Sequence, residues 1–320
     1  MRVLVVKMSS MGDIIHTLPA LSDAADVIPS IQFDWVVEEA FTEIPTWHKS
    51  VIHVIPVALR RWRRQPWLAL HRKEAWHFCQ RLRAQCYDKV IDAQGSIKSA
   101  VVMRLSRGYR LGMDKDSVRE IFADFAYQKK FFVPRTQHAV HRLRQLFAQA
   151  LEYPLPDNAI RYNVAKNRFC SLRFNLPNDY LVVVPNASDP RKCYSEAFWA
   201  ALLKKTAQAG IFVVVPWGSE EERKCAIRIC GDGQHTAVLP RLRLGEIASL
   251  LLQAKAAVCV DTGLSHLAAA LSIPAITLYG PTDPGLIGTL GPTQIHLRTI
   301  GDRIVSVETV WQALQQVLAV

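Results

Sequence analysis

Short apolar runs alternate along this chain with segments whose apolar positions recur three and four residues apart. Runs over 2–7, 33–37, 51–56 and 89–92 have strand length, and each ends in a turn of small or polar residues. Helical spacing predicts helices over 14–25, 67–85, 97–105 and 138–150, with a short helix between the second and third strands. The same alternation resumes over 180–184, 211–215, 237–239, 256–260 and 275–279, and an amphipathic helix is expected over 308–318. Such alternation predicts an α/β fold of parallel, doubly wound sheets. Pro154, Pro156 and Pro177 interrupt it. They suggest one domain over 1–160, a linker over 161–179 and a second domain over 180–320, whose last helix could pack back on the first.

One stretch organises the second half. The run 256–260 ends on Asp261-Thr262-Gly263, a helical segment follows over 264–271, and the run 275–279 leads into Gly280-Pro281-Thr282-Asp283-Pro284. Strand, turn, helix, strand is one βαβ unit. Its first turn brings backbone N–H groups, the hydroxyls of Thr262 and Ser265 and the His266 imidazole to a helix N-terminus, which suits a phosphate or diphosphate. Asp261, Thr262 and Ser265 equally read as ordinary N-caps, and His266 as a half-buried helix residue. Two doubly wound halves facing each other are expected to leave a cleft at the carboxyl ends of their strands. Asp13, the segment 188–192 and the segment 261–266 all fall at such ends.

Composition narrows the classes. The 320 residues are 50% hydrophobic and 21% charged, as in a globular protein of two ordinary domains. No apolar run approaches the roughly 20 residues of a membrane-spanning helix, and the first run is too short for a signal-peptide core. Seven cysteines without a C-x-x-C pair argue against a disulfide framework or zinc site and for a reducing cytosol. The net charge of +11 predicts an anionic partner: nucleic acid, an anionic membrane surface or a phosphorylated substrate. No recognition helix or RNA-stacking motif supports nucleic acid.

Five motifs together are specific. Lys7-Met8-Ser9-Ser10-Met11-Gly12-Asp13, Asp92-Ala93-Gln94-Gly95, Pro216-Trp217-Gly218, Asp261-Thr262-Gly263-Leu264-Ser265-His266 and Gly280-Pro281-Thr282-Asp283-Pro284-Gly285 resemble, in order and spacing, the ADP-heptose:lipopolysaccharide heptosyltransferase family, its type I members most. That family belongs to the glycosyltransferases of the GT-B type, with two facing Rossmann-like domains. The resemblance implies transfer of L-glycero-D-manno-heptose from ADP-heptose to the first Kdo of Kdo2-lipid A. Inversion at the anomeric carbon, no metal and no other cofactor are implied with it. So is a cytoplasmic protein, expected as a monomer, peripheral on the inner face of the inner membrane. The alternatives are a type II enzyme acting on an already heptosylated core, or a non-catalytic nucleotide-sugar binder.

The implied residue roles each stand beside a plainer one. Asp13 is the expected general base, unless it only caps the following helix. Lys192 is expected to offset charge on the leaving diphosphate, with Arg191 as a competitor and solvent exposure as the ordinary reading. Ser188 and the backbone at Ala187 would donate to the same phosphates. Ala187 and Tyr194 depart from the family pattern, in which a hydroxyl and a tryptophan are usual. Donor contacts are expected from Asp261, Thr262, Gly263 and His266 as well. Among Glu220, Glu221 and Glu222, a carboxylate would hold the ribose, though acids also suit a helix's first turn. Leu242 is an adenine wall or simply core. Ser10, Arg60, Arg61, Arg63, Arg64, Arg119 and Glu120 are expected on the acceptor side, where guanidinium forks suit acidic sugars and phosphates. A solvated basic helix end is the alternative, and Trp62 and Trp67 beside it suggest a membrane surface. Asp114-Lys115-Asp116 matches a metal-binding spacing by chance, and Gly231-Asp232-Gly233 lacks the third glycine of a dinucleotide fingerprint.

Overall fold

The structure, a computed structural model, describes residues 1–67, 73–301 and 304–318. The chain divides into two compact units, Met1–Ala165 and Lys166–Val320. Among the described residues, each unit carries one parallel six-stranded sheet.

The first sheet is built from β1 (Arg2–Val6), β2 (Gln32–Glu38), β3 (Val51–Val57), β4 (Cys86–Asp92), β5 (Arg107–Met113) and β6 (Lys129–Phe131), in the order β3-β2-β1-β4-β5-β6. The chain steps outward from β1 to β3 and then returns to the other side of β1 at β4. The strand order therefore reverses between β1 and β4, and the carboxyl ends at such a reversal are where open sheets of this kind bind ligands. Val3 sits opposite Phe33 on one side and Lys89 on the other. Val3 to Val6 are completely buried, which is why this strand reads as an unbroken apolar run. The helices are α1 (Met11–Ile15), α2 (Leu18–Val27), α3 (Glu43–Thr46), α4 (Leu59–Arg64), α5 (Glu74–Arg83), α6 (Ile97–Leu105) and α7 (Ala139–Leu151).

Three sequence expectations change here. The single helix over 14–25 is two, because Pro19 lacks an N–H and takes the first turn of α2, where none is needed. Asp13 consequently lies inside α1, not ahead of a helix. Of the helix expected over 67–85, α5 supplies Glu74–Arg83, after Lys73 in the left-handed region at φ 52°, and residues 68–72 of that expectation lie outside the described residues. Strands β5 and β6 have no counterpart among the runs expected from the sequence. Both lie toward the sheet's edge, and their exposed positions hold Arg107, Tyr109, Lys129 and Lys130 in place of an apolar run.

The second sheet comprises β7 (Tyr180–Val184), β8 (Phe212–Val215), β9 (Thr236–Val238), β10 (Ala256–Val260), β11 (Ala275–Tyr279) and β12 (Gln294–Arg298), ordered β12-β11-β10-β7-β8-β9. Here the reversal falls between β7 and β10. The edge strand β12 escaped the sequence reading for the same reason as β6: it alternates half-buried and exposed residues. Its helices are α8 (Glu196–Gln208), α9 (Glu220–Cys230), α10 (Leu244–Gln253), α11 (Gly263–Ala270), α12 (Pro284–Ile287) and α13 (Val307–Leu318). Leu181, Val183, Trp199, Val213, Val258 and Ile276 form the core, and α13 adds Val310, Ala313 and Leu314 to it. Each such side chain contributes about 1.5–3 kcal/mol on burial, so the central strands give their terminal turns a rigid base.

Candidate active site

In the first unit, the turn after β1 holds Asp13 by local bonds. Asp13 occupies the first turn of α1 and reaches back to its start, accepting from the Ser10 N–H at 2.9 Å and the Ser10 hydroxyl at 2.7 Å. Its other oxygen accepts from Lys7 Nζ at 3.3 Å. The lysine side chain is 7% exposed and the carboxylate 35% exposed, so the cation lies behind and the anion faces out. Burial alone would raise the carboxyl pKa. The Lys7 charge and the Ser10 hydrogen bonds outweigh it and hold the group well below the usual carboxylate range. The helix-capping role and a role as base are therefore compatible: the capping bonds orient an ionised, accessible oxygen.

A second strand fixes this loop. Gln94 follows β4, and its side-chain oxygen accepts from the Met8 N–H at 2.7 Å and the Ser9 N–H at 3.3 Å. The buried Asp92 accepts from the Gln94 and Gly95 N–H groups and from the Tyr127 hydroxyl. Gly95 sits at φ +66°, and a Cβ there would lie 3.0 Å from Val118. Only glycine suits that turn. The Asp92–Gly95 motif thus clamps the Lys7–Asp13 motif across the sheet's switch point. Lys7, Asp92 and Gln94 are the positioning residues that sequence reasoning left without roles. They stood inside the quoted motifs, but their partners were not readable from spacing.

In the second unit, Lys192 closes a short 3-10 turn after β7, and Asp261 follows β10, its neighbour in the sheet. Lys192 Nζ lies 2.7 Å from Asp261 Oδ2, with the lysine 25% and the carboxylate 4% exposed. The Arg191 guanidinium is turned to Asp189 instead, at 2.7 Å. Gly280 allows this arrangement: a Cβ there would stand 2.9 Å from the Arg191 carbonyl. His266 is buried, its Nε2 4.0 Å from Asp261 Oδ1. Thr262 is the N-cap of α11, yet no side chain caps that helix, and the Ser265 hydroxyl turns back to the Thr262 carbonyl. Thr262 therefore holds the N-cap position that the ordinary reading gave it, without a side-chain capping bond. Gly263 opens the helix, and Ala187 and Ser188 lie on the loop after β7, with the Ala187 N–H directed at Cys193 Sγ.

The carboxylates after Trp217 separate by their bonds. Glu222 accepts from the Gly218 N–H at 2.6 Å and the Ser219 N–H at 3.3 Å, which makes it the acid turned toward the end of β8. Glu220 pairs with Arg223, and Glu221 is exposed. The Ser219-x-x-Glu222 spacing is a capping-box signal that could have singled out Glu222. The Trp217 indole donates to the Leu239 carbonyl, and Leu242 follows on the same loop, half-buried and outside the core.

The acceptor-side candidates divide likewise. Arg61 is bound to Glu39 and Glu74, and Arg60 lies over the Phe41 ring. Arg63 and Arg64 are exposed and form no ion pair among the described residues. Trp62 donates to Glu74 and packs on Phe78, whereas Trp67 is exposed. Glu120 accepts from the Ile97 N–H at 2.8 Å and so caps α6, while Arg119 beside it is exposed. Asp114 caps its own turn through the Ser117 N–H. Among the described residues no group of three His, Cys, Asp or Glu side chains could hold a metal ion.

The chain matches the model of glycosyltransferase family 9 (heptosyltransferase) over residues 75–308. It is 49% identical over 298 residues to lipopolysaccharide heptosyltransferase 1 of Pseudomonas aeruginosa, covering 93% of this chain and 83% of that one. The solved E. coli heptosyltransferase WaaC with ADP superposes with a TM-score of 0.91 at 44% identity, over 99% of this chain and all of that one. The same enzyme with ADP-2-deoxy-2-fluoro heptose gives 0.89 at 43% identity, over 99% of both. The two doubly wound parallel-sheet units are the GT-B type of α/β fold expected from the motifs. A chain this similar along nearly its whole length, and matched by the family's own model, is a glycosyltransferase and belongs to glycosyltransferase family 9, the heptosyltransferases.

Proposed function

We propose that the chain transfers L-glycero-D-manno-heptose from ADP-heptose to the first Kdo of Kdo2-lipid A, inverting the anomeric centre without a metal. The observation that carries this reading is the opposite setting of two lysine–aspartate pairs. One switch point presents a carboxylate backed by a buried lysine, and the other presents a lysine backed by a buried carboxylate. The first is the set-up of a base, the second of a phosphate clamp.

The acceptor hydroxyl gives its proton to Asp13 as its oxygen bonds to the anomeric carbon. The bond from that carbon to the diphosphate oxygen breaks, and the electron pair leaves on ADP. A single displacement of this kind inverts the configuration. Lys192 meets the charge that develops on the diphosphate, a task a metal performs elsewhere, and the uncapped start of α11 at Thr262 and Gly263 adds N–H donors. Ser188 and the Ala187 backbone serve the same phosphates, Glu222 the ribose, Leu242 the adenine, and Asp261 and His266 support the clamp. Arg63 and Arg64, with Arg60 and Arg119, meet the acidic acceptor, which the protein engages as a monomer at the inner membrane's cytoplasmic face. The ADP and ADP-heptose analogue bound by the similar E. coli enzyme support the donor assignment.

The test is ADP release from ADP-heptose with Kdo2-lipid A. Wild type turns over, and Asp13→Ala falls about 10²–10⁴-fold, the ordinary worth of a general base. Turnover unchanged in Asp13→Ala removes the base assignment, and a silent wild type removes the reaction.

A further inference from the structure

The 3-10 segment Ile121–Ala126 has its polarity inverted. Its inward residues are Ala123, Asp124 and Ala126, while Ile121, Phe122 and Phe125 point outward at 65%, 67% and 73% exposure. The two phenyl rings stack on each other with centroids 6.2 Å apart. No packing requirement of this unit explains three large apolar side chains directed to solvent, and clustered exposed apolar residues mark an interaction surface.

The patch continues onto α6. The Glu120 N–H donates to the Gly95 carbonyl and the Glu120 carboxylate accepts from the Ile97 N–H, so Ile121 follows directly on the start of that helix. Ile97 and Val101, one turn apart on α6, are both about half exposed. Three cations lie at its rim, with the exposed Glu120 carboxylate among them. Lys130 lies 5.6 Å from the Phe125 ring centroid and holds the buried Asp124 at 2.7 Å. Lys98 is exposed on the same turn of α6, and Arg119 is exposed just before the segment. The unit as a whole is unevenly charged. It holds 24 of the 39 basic and 16 of the 28 acidic residues, a net +8 against +3 for the second unit.

We infer that this face, centred on Phe122 and Phe125, docks the first unit on an anionic phospholipid bilayer. Exposed aromatic and aliphatic side chains enter the boundary between headgroups and acyl chains, while lysine and arginine engage lipid phosphates. Charge complementarity selects this occupant. A second copy of the chain, meeting the face isologously, would bring a second set of Lys98, Arg119 and Lys130 into the same contact. The face also adjoins the active loop: the Gln94–Gly95 turn bonds Met8 and Ser9 through Gln94 and Glu120 through Gly95. Docking here holds the Asp13 loop near the bilayer surface, where a lipid-borne acceptor presents its sugars. The inference deepens the proposed function and takes its lipid acceptor from that reading.

The experiment is co-sedimentation of the full chain with vesicles of phosphatidylethanolamine and phosphatidylglycerol, and with vesicles of phosphatidylcholine alone. Wild type binds the anionic vesicles, more weakly at high salt, and Phe122→Ser/Phe125→Ser binds them at least about tenfold less. ADP release with a water-soluble, acyl-free Kdo acceptor stays within about twofold of wild type, while release with vesicle-borne acceptor falls with binding. Should the double variant fail to fold by its melting curve, Ile97→Asn/Val101→Asn replaces it with the same expectation. Wild type that ignores anionic vesicles, a folded variant that binds as wild type does, or a wild-type dimer that the variant splits overturns the inference. Vesicle binding that depends on Phe122 and Phe125 without any ADP release leaves docking standing and removes the enzymatic reading instead.

Discussion

The two switch points use the same pair of residue types in opposite senses. Lys7 and Asp13 are close in sequence, sit in one loop, and leave the acid outward. Lys192 and Asp261 come from adjacent strands far apart in the chain and leave the base outward. The two ion pairs differ in the order of burial within them, and on the proposed function that order sets which charge meets the substrate. A lysine sealed behind a carboxylate keeps that carboxylate ionised, whereas a carboxylate sealed behind a lysine holds a cation at the surface for an anion to meet. The two loops are also held differently. Asp13 depends on Ser10 and on the Gln94 clamp, while Lys192 depends on the close approach that Gly280 permits.

The contrast is broken most severely by Lys192→Ala. Turnover should fall about 10²–10³-fold, the usual loss on removing one group that meets developing charge. The variant also leaves buried Asp261 uncompensated, at about 1–3 kcal/mol of stability, and Asp261→Asn on the same background should return part of that in thermal melts. A variant with unchanged ADP affinity by calorimetry contradicts the clamp.

Lys7→Met tests the other pair. The folded Asp13 pKa lies below its unfolded value of about 4, so its ionisation adds stability above that pH and loses it as the pH falls through the folded value. Without Lys7, burial acts against fewer stabilising partners and the folded pKa rises. The acid limb of kcat/KM should move to higher pH, and the acid-unfolding midpoint should rise with it. An acid limb that stays in place removes the electrostatic role of Lys7.

Gln94→Ala frees the Met8 and Ser9 N–H groups at about 1–2 kcal/mol. We expect kcat to fall about tenfold with little change in donor KM, because the residue bonds the loop that carries Asp13. Loss of stability with kcat intact would reduce it to a scaffold residue. The smallest effect belongs to Arg63→Ala/Arg64→Ala. Both residues are exposed, so stability should stay within about 0.5 kcal/mol while acceptor KM rises and donor KM does not.

Much of the fold was legible because buried central strands must be apolar along their whole length. The runs at β1, β7, β10 and β11 are of that kind. The edge strands β6 and β12 were not, since they present solvent-facing positions and carry polar residues there. The candidate site was legible as motifs at strand ends. How the members of each motif pair with one another was not. The sequence put Lys192 first with Arg191 as a competitor, and the structure pairs Arg191 with Asp189 and Lys192 with Asp261. It offered three glutamates, and the reach of Glu222 to Gly218 distinguishes one.

By itself, then, the order of residues determined the alternation of elements, the turns that end them and the residue types available there. Local sterics and the burial of apolar runs act over a few residues and can be read along the chain. Only the tertiary structure decided which lysine lies behind its aspartate and which in front, and that Gln94 holds a loop some eighty residues away. Those outcomes depend on which strands become neighbours and how deeply each side chain is buried, and neither quantity is local.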